Sequence, residues 1–184
     1  MLIPASFYLD EINYELNKCK YDKAYMFYDI RSDIKLADDS SVCHQFASVA
    51  SNKKLVGYID YDIDRKVGTV YNFSIINFMP KFRVVFARDV MQAVDDIFNK
   101  YNLHAIQFAC RDGNPAKKIY DKFISKYGGR YIGYFNYSWV GLDGKIRSSH
   151  YYEISFLDYK YKLLDKNSNN DSLKAADITT FLEK

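Results

Sequence analysis

No run in this 184-residue chain approaches the ~20 consecutive apolar residues needed to cross a bilayer. The N-terminal stretch carries Asp10 and Glu11 where a targeting segment would have a basic region followed by an apolar core. A cytoplasmic location with no membrane attachment is therefore expected. Cysteine is scarce: Cys19, Cys43 and Cys110 are an odd number without the short paired spacing of a zinc site or a disulfide framework, so idle thiols and no metal are expected. With 3 prolines and 8 glycines the composition is neither collagen-like nor that of a disordered chain. One-sided charge is missing too, because 26 basic and 23 acidic residues leave a net +3, and nucleic acid is not an expected partner.

What the chain has is apolar and aromatic matter: 48% hydrophobic residues, with 18 Tyr and 13 Phe. That length and composition suit one domain burying roughly 70% of its unfolded surface. The tyrosines, alongside abundant Asn, Lys and Ile, fit a compositional bias of the coding source better than a stacking surface. Residues 1–160 read as the domain, and 161–184 as a polar linker around Lys166–Asp171 before a candidate last helix with Leu173, Ala176, Phe181 and Leu182.

Along the chain, Leu9, Ile12 and Leu16 recur at helical spacing between Ser6 and Lys18, with Ser6 placed as N-cap. Tyr25–Ile30 fits a strand or a further helical turn. Three strands are expected at His44–Ala50, Leu55–Ile63 and Val67–Phe78, joined by short polar breaks as antiparallel hairpins. After Pro80 the period changes to 3.6, with Val90, Val94, Ile97 and Phe98 on one side of a helix ending near Tyr101-Asn102. Leu103–Ala109 is a compact apolar strand. Asn114 as N-cap and Pro115 at the first helical position open a helix that runs to Tyr127 and stops at Gly128-Gly129. Strands Tyr131–Val140 and Lys145–Phe156 flank a Leu142-Asp143-Gly144 turn. The crossover from the third strand through a helix into Leu103 implies a parallel pair. The fold class is therefore α/β (α+β): a mixed, mostly antiparallel sheet with flanking helices.

That order, together with Asn114-Pro115-Ala116-Lys117-Lys118-Ile119-Tyr120, resembles the GCN5-related N-acetyltransferase family over roughly Phe46 to Ile154. The resemblance implies a sheet splayed at its parallel pair around acetyl-CoA (acyl-CoA), with Asn114 as a cofactor contact and Tyr120 as a candidate general acid. It implies backbone contacts to the pantetheine arm from Ile76, Asn77 and Phe78. The family's pyrophosphate loop corresponds to Phe82-Arg83-Val84-Val85-Phe86-Ala87-Arg88, where only Ala87 matches the small residues of the family pattern. A valine in place of the first glycine crowds the backbone approach. Cofactor binding there falls to Arg83, Phe86, Ala87 and Arg88 at a helix N-terminus, whose N–H groups and dipole favour a phosphate.

Acyl transfer to an amine needs a neutral amine, oxyanion donors and a proton for the departing thiolate. Tyr120 suits the last role, since a phenol titrates at about 10. Asp60 and Asp62, on a strand that would border the acceptor cleft, are the candidates to take a proton or bind a cationic amine. His44 and His150 stand in no motif, and Tyr134, Phe135, Tyr137 and Trp139 alternate along a strand as packing residues do. The expected function is an N-acetyltransferase acting on a small-molecule or protein amine in a ternary complex. The alternative is a noncatalytic module of the same fold that binds a protein partner.

Overall fold

A computed structural model describes residues 1–27, 33–141 and 144–161. The strands are β1 (Leu2–Pro4), β2 (Cys43–Val49), β3 (Leu55–Asp64), β4 (Thr69–Asn77), β5 (Ala105–Arg111), β6 (Arg130–Val140) and β7 (Ile146–Ser155); α1 (Leu9–Cys19), α2 (Arg83–Asp95) and α3 (Lys117–Tyr127) are helices, and residues 156–161 are helical too. All seven strands join one mixed sheet in the order β1-β2-β3-β4-β5-β7-β6, with β4 and β5 parallel and every other pair antiparallel. The mixed sheet expected from the sequence is thus present. Residues 162–184 of the expected linker and last helix, Tyr28–Ile30 of the expected 25–30 segment, and Leu142-Asp143 of the last turn lie outside the described residues.

Helices cover the sheet unequally. On one face α1 lays Ile12, Leu16 and Cys19 against Ala47, Val49 and Tyr58. On the other, Val94, Ile97 and Phe98 of α2 and its extension pack with Tyr61, Val70, Ile106 and Ile154, and Tyr120 and Phe123 of α3 join them. The extension is one π-helical turn, Asp96–Lys100, in which the Tyr101 N–H reaches back five residues to the Asp96 carbonyl.

Two local expectations change: α3 begins at Lys117 with Ala116 in the cap position and no side-chain cap, so Asn114 and Pro115 fall in the turn before it, and the start of α1 moves as well. Ser6 does not cap α1, which begins at Leu9 with no side-chain cap. The first residues instead form β1, paired with β2 from Leu2↔Ser48 to Pro4↔Phe46, so Ser6 falls in the short 3₁₀ turn that connects sheet to helix. Three residues are too few to show a strand's alternation.

Gly57 illustrates how closely α2 meets the sheet. A Cβ at this position would overlap the Ile76 carbonyl oxygen and the Phe86 ring, both of which belong to fixed elements. Overpacking of this kind costs about 1–3 kcal/mol, so Gly57→Ala is expected to lower the melting temperature by about 2–12 °C. An unchanged melting temperature in thermal denaturation would mean that Phe86 and β4 give way freely.

Candidate functional site

The site begins with a bulge. Asp62 pairs with Tyr71 and Asp60 with Ser74, so one β3 residue faces two on β4, Asn72 and Phe73. Asn72 takes up the irregularity with a left-handed backbone at φ 53°, which Asn tolerates better than most residues. Its side-chain amide donates to Asp62 Oδ2 at 2.9 Å. A bulge bends its strand, and β4 leaves β5 at this point. Among the described residues, the two strands pair only through Thr69↔Ala105 and Val70↔Ile106. Beyond them the parallel pair opens into a gap.

Two hollows adjoin the gap. On the α1 side lies a polar cleft of about 570 Å³ bordered by Asp60, Asp62, Ile76, Arg111, Asn114 and Tyr120. Under α2 and α3 lies an apolar cavity of about 100 Å³ that touches Phe86, Ala87 and Phe108. Phe73, Ile75 and Tyr120 border both.

Tyr120 is held there by its own helix entrance. Asn114 Oδ1 accepts the Ala116 N–H at 2.9 Å and its carbonyl accepts the Lys117 N–H at 3.0 Å, fixing the turn that launches α3. The Tyr120 N–H then bonds the Ala116 carbonyl at 3.0 Å. The Tyr120 ring stands edge-on to Phe108 with centroids 5.2 Å apart, and Phe108 stacks on Tyr152 at 5.3 Å. Burial, then the Asp121 hydrogen bond, push the Tyr152 phenol well above its ordinary range, so it stays a donor, 2.8 Å from Asp121 Oδ1. Partial desolvation opposes ionisation of Asp121. The hydrogen bonds from Lys117 and Tyr152 outweigh it and hold the carboxyl below its usual range.

The residues singled out for the pantetheine arm sit at the far end of β4. The Phe78 N–H bonds the Val56 carbonyl at 2.9 Å, and Ile76 lies opposite Tyr58. By the alternation of an antiparallel ladder, Ile76 and Phe78 turn their backbone groups to β3, while Ile75 and Asn77 turn theirs to the gap. The Asn77 carbonyl accepts the Tyr25 hydroxyl at 2.9 Å.

One turn of 3₁₀ helix, Pro80–Phe82, leads into α2, which has neither a side-chain N-cap nor an acidic residue in its first turn. Arg83 is half-buried at this end. Phe86 and Ala87 face inward, 3% and 5% exposed, and line the apolar cavity. Arg88 points outward with its guanidinium 3.4 Å from the buried Asp89, which also accepts the Ser48 hydroxyl at 2.8 Å.

His44 and His150 lie away from the two hollows. His44 Nδ1 is 2.9 Å from the Tyr61 hydroxyl, and burial lowers its pKa. His150 bonds the Tyr131 hydroxyl at 3.1 Å and lies 3.4 Å from Asp112. The sequence reading missed the outer wall of the cleft. Asn13 on α1 exchanges hydrogen bonds with the Ile34 backbone, and Gln45 on β2 accepts the Ala37 N–H at 2.8 Å and donates to the Lys35 carbonyl at 3.0 Å. The available signal was a polar Gln45 two residues before the apolar Ala47 and Val49 on one strand face. Arg111 was also missed. It closes the cleft from β5, bonded to Ser149 Oγ at 2.9 Å and set over the Trp139 ring at 5.1 Å.

Neither a family model nor a curated protein sequence matches the chain. Solved structures do. A GCN5-related N-acetyltransferase from Brucella melitensis is similar over 100% of this chain and 90% of its own, with 13% identity and a TM-score of 0.67. A variant of the spermidine N-acetyltransferase SpeG from Vibrio cholerae is similar over 86% of this chain and 95% of its own, at 21% identity and a TM-score of 0.65. The spermidine/spermine N-acetyltransferase SpeG of the same organism, in complex with manganese ions, aligns over 83% and 78% at 22% identity and a TM-score of 0.56. At these identities the likeness carries the fold, and the chain folds as the GCN5-related N-acetyltransferases do, around a sheet parted at one parallel pair.

Proposed function

We propose that this chain is an acyl-CoA-dependent N-acyltransferase that takes acetyl-CoA as donor and a cationic amine, of a small molecule or a protein, as acceptor. The observation that carries the reading is the placement of Tyr120 at the junction of the polar cleft and the apolar cavity, where strands β4 and β5 part. Three features suit the donor. The N-terminal end of α2 offers backbone N–H groups and nearby Lys81, Arg83 and Arg88 with no competing acid in the first turn. Ile75 and Asn77 turn backbone groups to the gap, and Asn114 borders the cleft beside Tyr120. The absence of glycine at Val84 and Val85 leaves the phosphate to be held more by guanidinium groups and less by close backbone approach.

When bound, the thioester supplies an activated acyl carbon, whose bond to sulfur is exchanged for a bond to nitrogen. Tyr120 would give its proton to the departing thiolate. The cationic amine loses two protons on its way to the amide: Asp60 or Asp62 would take the one whose loss makes the amine a nucleophile, directly or through water, and the other passes to solvent. The acceptor class follows from charge: Asp33, Asp60 and Asp62 border the cleft against Lys35 and Arg111, a balance that attracts a cation. A second reading, binding of a protein partner, is favoured by the exposed side chains of the edge strand β6. Phe135 is 51% exposed, and Tyr137, held at φ 51° in a bulge, is 81% exposed.

Titration with acetyl-CoA tests the first reading. A ligand at 100 times its dissociation constant adds ~2.7 kcal/mol of stability, which for a chain of this length raises the melting temperature by about 5–11 °C. No shift at millimolar acetyl-CoA would sink the enzyme and leave the partner-binding reading standing.

A further inference from the structure

Independently of the thioester reading, we propose that the outer edge of β6 pairs antiparallel with β6 of a second copy of the chain, about a two-fold axis beside Tyr134, joining two seven-stranded sheets into one. The sheet ends in two edges of opposite kind. At one, β1 is 3 residues long, too short to template another strand, whereas β6 at the other runs for 11 residues. From Tyr131 to Val140 the strand carries neither a charged residue nor a proline, the usual means of blunting an edge. Irregularities in its pairing with β7, between Tyr131 and Gly133 and between Phe135 and Trp139, are the blunting it has, and Gly133–Phe135 is the regular run between them.

The exposed side chains suit a strand that continues the sheet. Tyr131, Ile132, Tyr134, Phe135, Tyr137 and Val140 are 43–81% exposed. The Tyr131 and Tyr134 rings lie against Tyr152 and His150 on the face that α3 covers, and Phe135 lies on the opposite face against Tyr151. A surface for face-on docking would be apolar on one face only, whereas a neighbouring strand meets both. With about 150–250 Å² to an aromatic side chain, these residues leave about 600 Å² exposed. That is the upper end for a monomer's largest apolar patch, and most of the ~800 Å² each partner brings to a standard interface.

The strand's chemistry selects a copy of itself. In a two-fold pair, residues near the axis meet themselves or close neighbours, so any charge there would face its like. This strand has none, and it offers a foreign partner no charge to read. The polar groups beside the axis, on Tyr134, Asn136 and Tyr137, carry donor and acceptor capacity together, which makes each complementary to itself. A net charge of +3 adds little repulsion between copies. The regular run sets the register: with Tyr134 opposite Tyr134 of the second copy, Phe135 faces Gly133 of that copy. A Cβ at Gly133 would meet nothing within 4 Å. That open space seats the Phe135 ring, as an aromatic side chain shelters an edge glycine.

The test is sedimentation equilibrium of the full chain at about 50 μM, above the micromolar upper end for interfaces of this size. The expected mass is twice the 21.6 kDa of one chain. Phe135→Asp, which puts a carboxylate into the apolar seat twice per interface, should weaken the dimer about 100-fold or more. Register is read by cross-linking in a Cys43→Ser background, since Cys19 and Cys110 are buried. Tyr134→Cys should couple to its own copy through a short bismaleimide, because opposite side chains on paired strands stand about 5 Å apart. Val140→Cys, about 40 Å from its copy in this register, should not. A monomeric mass for the unaltered chain overturns the proposal and returns β6 to a foreign protein partner. A dimer that survives Phe135→Asp, or that couples through Val140→Cys and not Tyr134→Cys, overturns it as well. Should Phe135→Asp fail to fold, the mass and the cross-links decide. Each result stands whether or not the chain binds acetyl-CoA.

Discussion

Replacing Tyr120 with Phe is expected to slow acyl transfer by about 10²- to 10⁴-fold, the usual contribution of one positioned proton donor, while the dissociation constant for acetyl-CoA stays within about twofold. The separation of the two effects follows from how the residue is held. The ring is fixed by edge-on contact with Phe108 and by the helix that Asn114 launches, and Phe preserves both. Only the hydroxyl is lost. A donor needed at the departure of the thiolate acts in the transition state, so kcat and kcat/KM should fall together. Single-turnover measurement at saturating acetyl-CoA gives the first quantity directly. Unchanged transfer would remove Tyr120 from the mechanism and return it to the core, where its contacts with Phe108 and Tyr152 would be its whole role.

This first prediction could be framed from the sequence because α3 is punctuated locally. Asn114 and Pro115 lie in the turn just ahead of its start at Lys117, three and two residues before it, and its end is marked by Gly128 and Gly129, which adopt φ of 87° and 110°. Such signals depend on a residue's own backbone preferences and need no knowledge of distant chain. The features that make a site of the surroundings are of another kind. The parting of β4 from β5 rests on one left-handed Asn72 and its bond to Asp62, ten residues away. In sequence Asn72 is only a polar interruption in a strand. The cleft wall depends on Asn13 reaching Ile34 and on Gln45 reaching back to Lys35 and Ala37, pairings that exist only once α1 and β2 are in place. The apolar hollow is less legible still, because a void records how side chains from five elements fail to meet.

The cation cluster at the start of α2 supports the second prediction. Arg83→Ala combined with Arg88→Ala is expected to weaken CoA about 10- to 100-fold and to leave pantetheine, which lacks the pyrophosphate, within about twofold. A hydrogen bond to a charged group contributes ~1.5–3 kcal/mol when sheltered from water. The lower half of the expected range allows for Arg88, whose side chain is 60% exposed and shares its charge with Asp89. The pair must do more here than in a glycine-rich loop, since Val84 and Val85 keep a phosphate from lying against the backbone. Salt provides an independent check. If the guanidinium groups hold the pyrophosphate, raising ionic strength should weaken CoA binding to the unaltered chain more steeply than to the double variant. Equal CoA affinity in the two proteins would make Arg83 and Arg88 ordinary surface cations. The anion would then rest on the α2 N-terminus and Lys81 alone, a site too weakly charged to replace the missing glycines.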